Sequence, residues 1–319
     1  MSTIATSGAG PAYAWLAAII ATACTHTTAA PAASASRDLG APRLWIGGDV
    51  FLGTGGHGAL AGIPAIVDGA PGVVNLEGPA GAAGAAGAAG VASPRLLHAP
   101  NALAELRAAG VAVAGIANNH AGDAGPGGGA ATIHALAAVG VQPAGGPAGP
   151  ATLVLGGLRI VITAHDLEHG VPAALRDDLA AARRRGDVLV ATFHVTGPAS
   201  YLPRPELVDA VAIALVAGAT VIAAHGSHEL ARVERRGRAV IAWGLGNLAF
   251  ACACTDEDSG ALLDVTLTRE GAAAASIIPI DASLLTGATR PAADPALTFE
   301  LLDALGSTRL ERRGDRAGF

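Results

Sequence analysis

The sequence predicts a single large α/β domain with mixed sheets. Two patterns carry that expectation. From Arg43 onward, short apolar runs alternate with amphipathic helical stretches, and near residue 239 the alternation gives way to successive strands. A third observation bears on the site: polar residues recur where the apolar runs end, and open α/β sheets gather ligands outside the carboxyl ends of their strands.

The elements follow in order. RLWIGG (43–48) and GVVNLE (72–77) read as buried strands ending in polar residues. Between them and the next helix, PAGAAGAAGAAGVASP (79–94) is low-complexity Gly/Ala and is expected as a surface loop, because glycine opposes regular structure. NALAELRAAG (101–110) is a helix closed by glycine, VAVAGIA (111–117) a strand, and ATIHALAAVG (131–140) a second helix with a glycine stop. TLVLGGLRIVIT (152–163) predicts a hairpin turning at Gly156-Gly157. VPAALRDDLAAARRRG, DVLVATFH, RPELVDAVAIALVAG and ATVIAAH then alternate helix and strand. RAVIAWGLGNLAF, ALLDVTLTR and AAASIIPI are strands, and PALTFELLDALG is a terminal helix.

The 319 residues are 51% hydrophobic, enough for a sizeable core in one domain. All twenty basic residues are arginine, a mark of GC-rich coding and not of function. With a net charge of −6 and no basic stripe, nucleic acid is excluded as a partner. Three cysteines form no disulfide framework by spacing; Cys252 and Cys254, two apart on a strand, are expected as ordinary core cysteines.

PAYAWLAAIIATAC (11–24) is an apolar run too short to span a bilayer comfortably and fits a signal-peptide core. Ala21-Thr22-Ala23-Cys24 loosely matches a lipoprotein cleavage site, which would leave an acylated Cys24 as a membrane anchor. The expected organisation is a signal peptide over 1–24, a disordered linker over 25–42, the α/β domain over 43–285, and a C-terminal helical extension and tail over 286–319. The expected location is outside the cytoplasm, in the periplasm or on the outer cell surface.

Asp49 follows RLWIGG, Glu77 follows VVNL, and Asn119 and His120 follow VAVAGIA. His194 ends DVLVATFH, and His225 and His228 close the next strand. Each has a bland reading alone: a helix cap for Asp49, a solvated turn for Glu77, turn geometry for Asn118 and Asn119. Their recurrence at successive strand ends instead predicts one site. Carboxylates, an amide and imidazoles together suit Mn, Fe or Zn, as one ion or two, at a hydrolytic centre.

GGDVFLG, VVNLEGP, GIANNHAGDAG, ATFHVTG, GATVIAAHGSHEL and GLGNLAF, in that order, resemble the motifs of bacterial capsule-synthesis (CapA-like) proteins. That family is associated with poly-γ-glutamate capsules and has the calcineurin-like metallophosphatase fold. The resemblance therefore implies a four-layer α-β-β-α sandwich. It implies metal ligation by Asp49, Glu77, Asn119, His194, His225 and His228, with Glu77 as the bridging carboxylate and His120 as the catalytic acid. Asn118, Asp123 and Asn247 would support the site.

The sequence departs from the family pattern in three places. Phe51 stands where metallophosphatases carry a histidine two residues after the aspartate. The family's HWG.EY is HVTGPASY here, with Ser200 near the place of the glutamate, and GHHPH is AHGSH, with Gly226 and Ser227 as the middle pair. His57, in GTGGHG, is expected to be exposed. The function expected is a metal-dependent hydrolase, phosphoesterase- or amidase-type, acting on a phosphoester or an anionic polymer beside membrane-bound capsule synthase components. The alternatives are an envelope accessory protein that binds an anionic polymer without turnover, and a metal-free descendant of the fold.

Overall fold

The structure is a computed structural model that describes residues 41–55, 57–81, 94–197 and 200–319. The apolar leader, Cys24 and the linker up to residue 40 lie outside the described residues, as do residues 82–93 of the Gly/Ala run.

β1 (Arg43–Phe51) is buried along nearly its whole length. The short helix α1 (Ile63–Ile66) leads to β2 (Gly72–Leu76), which is buried at every position. Burial on both faces is why these strands read as continuous apolar runs, without the alternation of a half-exposed sheet. α2 (Ala104–Ala108), β3 (Val111–Gly115), α3 (Gly128–Ala138) and β4 (Gln142–Ala144) follow. β1 to β4 lie side by side and parallel.

β5 (Ala151–Leu155) and β6 (Leu158–Asp166) form the expected hairpin, with φ of 54° at Gly156 and 78° at Gly157, the left-handed pair that a tight β-turn of this hand requires. α4 (Leu175–Arg184) buries Leu175, Leu179 and Ala182 at helical spacing. It carries Asp177 and Asp178 in its first turn and Arg183 and Arg184 in its last, as its dipole favours. β7 (Val188–His194), α5 (Pro205–Val216) and β8 (Val221–His225) continue the alternation. β9 (Val233–Arg236) and β10 (Ala239–Ala242) complete a second sheet in the order β5-β6-β7-β8-β10-β9.

The chain then changes sheets. Gly244 and Gly246 interrupt the apolar run after β10, and β11 (Asn247–Phe250) pairs with β1. Gly48 on β1 permits this, since a Cβ there would overlap the Gly246 carbonyl. β12 (Ser259–Thr268) and β13 (Gly271–Asp281) extend the first sheet antiparallel to β1. β14 (Arg290–Pro291) pairs with β13. Asp294 caps α6 (Pro295–Ala304), accepting from the amides of Ala296 and Leu297 at 3.2 and 3.3 Å. β15 (Glu311–Arg313) and β16 (Arg316–Gly318) form a last hairpin that joins β13. The segment after residue 285 thus holds α6 and also three sheet strands.

Three apolar clusters define four layers. Ile46, Val73 and Val113 of the first sheet meet Ile160, Val190 and Val240 of the second. The outer face of the first sheet packs on α1, α2 and α3 through Ile63, Leu106 and Leu136. The outer face of the second packs on α4 and α5 through Leu179, Leu207 and Val211. The result is the expected α-β-β-α sandwich with two mixed sheets. Among the described residues no helix is long and apolar enough to cross a membrane.

Two expectations are corrected. Asp49 does not follow its strand: β1 continues to Phe51 because β11 supplies partners, pairing Asp49 with Asn247 and Phe51 with Phe250. Cys252 and Cys254 do not sit on a strand as free core thiols. β11 ends at Phe250, the chain turns, and their Cα atoms lie 5.1 Å apart and are joined by a disulfide. A regular strand would hold residues two apart at roughly 6.6 Å and leave the thiols side by side.

Candidate metal centre

Six strands from both sheets bring polar residues to one place: β1 at Asp49 within the strand, β11 at its first residue, and β2, β3, β7 and β8 at or just past their carboxyl ends. In-register pairing sets Asp49 beside Asn75 and Asn247 in the first sheet, and His194 beside His225 in the second. Asp49, Glu77 and His228 each present one potential ligand atom, all within 4.8 Å of one another. His225 Nδ1 is 3.5 Å from Asp49 Oδ1, and His228 Nδ1 is 3.4 Å from Asp49 Oδ2. Glu77 Oε1 lies 3.6 Å from His228 Nε2 and 3.9 Å from His120 Nε2.

Asp49 and His228 are held from behind. Asp49 Oδ1 accepts from Asn75 Nδ2 at 2.8 Å, and Oδ2 accepts from the Gly226 amide at 2.9 Å. His228 Nδ1 donates to Asn247 Oδ1 at 2.9 Å, and Asn247 Nδ2 donates to the Glu257 carbonyl at 2.8 Å. That partner keeps the proton on Nδ1 and leaves the Nε2 lone pair facing Glu77, the arrangement that prepares a histidine for a cation. His228 has φ of 58°, uncommon outside glycine and a strain the surrounding contacts sustain.

The turn after β3 contributes differently at each position. Asn118 is buried and structural: its Nδ2 donates to the Leu76 carbonyl at 2.8 Å and to Asn75 Oδ1 at 3.2 Å. Asn119 is exposed and turns its Oδ1 to His194 Nε2 at 3.0 Å. His194 Nδ1 accepts from Asn75 Nδ2 at 3.2 Å, so its Nε2 carries the proton given to Asn119. Asp123 Oδ2 accepts from His120 Nδ1 and from the Leu96 amide, at 2.8 and 2.7 Å. Asp123 therefore orients His120 as well as shaping the turn. His57 is exposed, as expected.

The charges are unevenly held. Burial alone would raise the Asp49 carboxyl, but His228, His225, His194 and the Gly226 amide outweigh it and hold it low. Burial, then the charges of Asp49 and Asp123, push Glu77 well above the ordinary carboxylate range. Burial brings His194 down to about 3 and also lowers His225.

The residues present fit a divalent cation. Glu77 Oε2 and both ring nitrogens of His225 are buried without a hydrogen-bond partner, an arrangement that is costly unless something accepts their lone pairs. Two carboxylates with imidazoles suit Mn, Fe or Zn.

Three contributors were not anticipated from sequence. Asn75 links Asp49, His194 and Asn118; its signal was position, two residues before Glu77 in an otherwise apolar strand. His98 is fully buried, accepts from the Leu52 amide at Nδ1 and donates from Nε2 to the Glu77 carbonyl at 3.0 Å. Burial holds its pKa down at about 4. His98→Leu leaves the Leu52 N–H and the Glu77 carbonyl buried and unpaired, and should cost about 2–4 kcal/mol in urea unfolding at pH 7. A histidine depressed in the folded state contributes stability above its unfolded value of 6.5 and loses it as pH falls towards 4. The variant should therefore unfold with a shallower acid limb than the parent over that range.

Gly226, the third, has φ of 93°, and a Cβ there would come 2.8 Å from His194 Nε2 and 2.9 Å from the Val195 carbonyl. Gly226→Ala should lower stability on the order of 2–3 kcal/mol and disturb the Asp49 contact. Thermal unfolding with and without added Mn would show both effects.

A sequence profile of the family described as bacterial capsule synthesis protein PGA_cap matches residues 63–251, more than half of the chain. The matched stretch contains every candidate site residue except Asp49 and the leader cysteine Cys24. No curated protein matches the chain by sequence. Among solved structures, the chain is similar to a hypothetical protein from Thermus thermophilus. That match has a TM-score of 0.53 and 13% identity, and covers 75% of this chain and 99% of that one, a likeness of fold alone. With six strands converging on one polar site and a family match across most of the domain that builds it, the chain belongs to the bacterial capsule synthesis protein family PGA_cap.

Proposed function

We propose that the protein is a metal-dependent hydrolase of capsule metabolism. The observation that carries this reading is the buried Asp49–Glu77–His228 cluster with the unpartnered Glu77 Oε2 and His225 nitrogens beside it. Asp49, Glu77 and His228 would hold the cation, with His225 as a further donor; His194 and Asn119 would join only by giving up the hydrogen bond between them. Bound there, a divalent cation supplies Lewis-acid polarisation of a phosphoryl or acyl oxygen and acidifies water. Asp123 fixes the His120 ring so that Nε2, turned towards Glu77 Oε1, is the atom that takes or gives a proton at the leaving group. Asn75 and Asn247 keep Asp49, His194 and His228 in place.

Export through the 1–24 leader, with or without lipidation at Cys24, would put this site beside membrane-bound capsule synthase components. Mn or Zn should raise the thermal midpoint of the purified protein, and His225→Ala should abolish that rise. The loaded protein should cleave a phosphoester or poly-γ-glutamate in an activity screen. No midpoint rise with any divalent cation would overturn the metal reading. Polymer binding without cleavage would replace the hydrolase with the accessory role.

A further inference from the structure

We propose that the Cys252–Cys254 disulfide is a thiol–disulfide exchange site that takes a dithiol, and that its redox state sets how firmly His228 is held. The inference goes beyond the hydrolase reading and does not rest on it. The disulfide lies in the loop over 251–258, which carries the chain from β11 to β12. Its two residues sit differently. Cys252 is 8% exposed and packs with Phe51, Leu96 and Phe250, whereas Cys254 is exposed. A reductant arriving from solvent therefore meets Cys254.

The direction of exchange follows from one hydrogen bond. The Cys254 N–H donates to Cys252 Sγ at 3.2 Å. A donor on a sulfur favours its thiolate, so Cys252 is the sulfur prepared to leave when Cys254 is attacked. A thiolate of the dithiol bonds to Cys254 Sγ, the S–S bond breaks, and its electron pair departs on Cys252 Sγ, which takes a proton. The dithiol's second thiolate then attacks the dithiol sulfur of the mixed disulfide, and Cys254 Sγ leaves and takes the second proton. Two electrons and two protons pass to the cysteines, and the dithiol becomes a disulfide.

The same loop holds His228 from two sides. Just before it, the Phe250 ring lies 4.7 Å from the His228 ring at 65°, an edge contact, and Phe250 shares its apolar cluster with Cys252. Near its end, the Glu257 carbonyl accepts from Asn247 Nδ2 at 2.8 Å, and Asn247 Oδ1 accepts from His228 Nδ1 at 2.9 Å. His228 has φ of 58°, a conformation that its contacts must sustain.

Between those two holds, Ala253, Cys254, Asp256 and Asp258 are exposed, and the disulfide ties this outer stretch to the buried Cys252. A cross-link restricts the segment it closes, so its loss widens what that segment samples. The freed stretch ends at the Glu257 carbonyl, and the loosening passes through Asn247 to His228.

The test uses the full-length chain, kept cation-free with a chelator and labelled with nitrogen-15 in its ten histidines. Under native conditions iodoacetamide should modify neither Cys252 nor Cys254 before reduction, and both after dithiothreitol. The tryptic peptide over 239–269, bounded by Arg238 and Arg269, carries these two cysteines and not Cys24, so its mass reads them alone. Reduction should shift the His228 ring resonances, and reoxidation should return them. His165, which packs on Phe193 in the second sheet, should stay in place. Loss of a peak in His228→Gln assigns His228; should that variant not fold, its Overhauser contact with the Phe250 ring does so. Cys254→Ser should show the reduced His228 position without reductant and ignore dithiothreitol. Thiols that react before reduction, a disulfide that yields only in urea, or reduction that leaves His228 unmoved would each overturn the proposal. So would a shift of His165 along with His228, which would make the disulfide a prop of the whole fold. No cation and no turnover enter the measurement, so its failure leaves the metal test standing.

Discussion

Asp49→Ala should abolish the cation-dependent rise in thermal midpoint and lower the stability of the cation-free protein by about 2–4 kcal/mol. Asp49 sits at the crossing of both sheets: one oxygen holds Asn75, the other holds the Gly226 amide, and two imidazoles lie within 3.5 Å. Truncation strands a buried amide N–H and a side-chain N–H, each worth about 1–3 kcal/mol when left unpaired. Part of that loss is offset, because Glu77 no longer faces a buried neighbouring charge. Asp49→Asn separates the two effects. It keeps the volume and one acceptor oxygen, so its unfolding midpoint in urea should stay within about 1–2 kcal/mol of the parent. It removes the charge, so its affinity for Mn or Zn should fall by at least about a hundredfold, or ~2.7 kcal/mol. Calorimetric titration and urea unfolding on the two variants check both arms. An Asp49→Asn protein that binds Mn as tightly as the parent would remove Asp49 from the cation site.

Much of the scaffold was legible because its signals are local. The Gly156-Gly157 hairpin, the charged ends of α4 and the apolar face of α5 are each set by a few neighbouring residues. The strand ends that hold Glu77, His194 and His225 were legible for a related reason, since a polar residue closing a buried apolar run needs an explanation of its own. What escaped depends on partners far away in the chain. β1 runs past Asp49 only because β11, some two hundred residues later, pairs with it. His98 gives no periodic signal; its role comes from reaching Leu52 and Glu77 across the loop. Asn75 looks like a blemish in an apolar strand until Asp49, His194 and Asn118 are brought to it. The cysteines were misread because a turn, invisible in the spacing, replaces the strand expected there.

Cation binding should release a proton from Glu77, and that linkage gives the second large effect. In the cation-free protein, burial and the charges of Asp49 and Asp123 raise Glu77 well above its ordinary value of 4.5, so it holds its proton into a range where most carboxyls are ionised. A cation must displace that proton to use the carboxylate. Apparent affinity should therefore rise about tenfold per pH unit below the raised Glu77 value and level off above it. His194 and His225 add little to this slope, because burial has already lowered both and they remain neutral. The stability of the cation-free protein moves the opposite way with pH. The folded state binds the Glu77 proton more tightly than the unfolded chain does, so this group's contribution is full below 4.5 and is lost as pH rises through the folded value. The midpoint rise produced by Mn should accordingly grow with pH across that window. Glu77→Gln keeps the shape and cannot ionise. It should bind at least about a hundredfold more weakly at neutral pH, release one proton fewer on binding, and lose the pH dependence of the midpoint rise. Measuring proton release by titration in two buffers of different ionisation enthalpy reads the count directly, and an unchanged count in Glu77→Gln would place the displaced proton on another group.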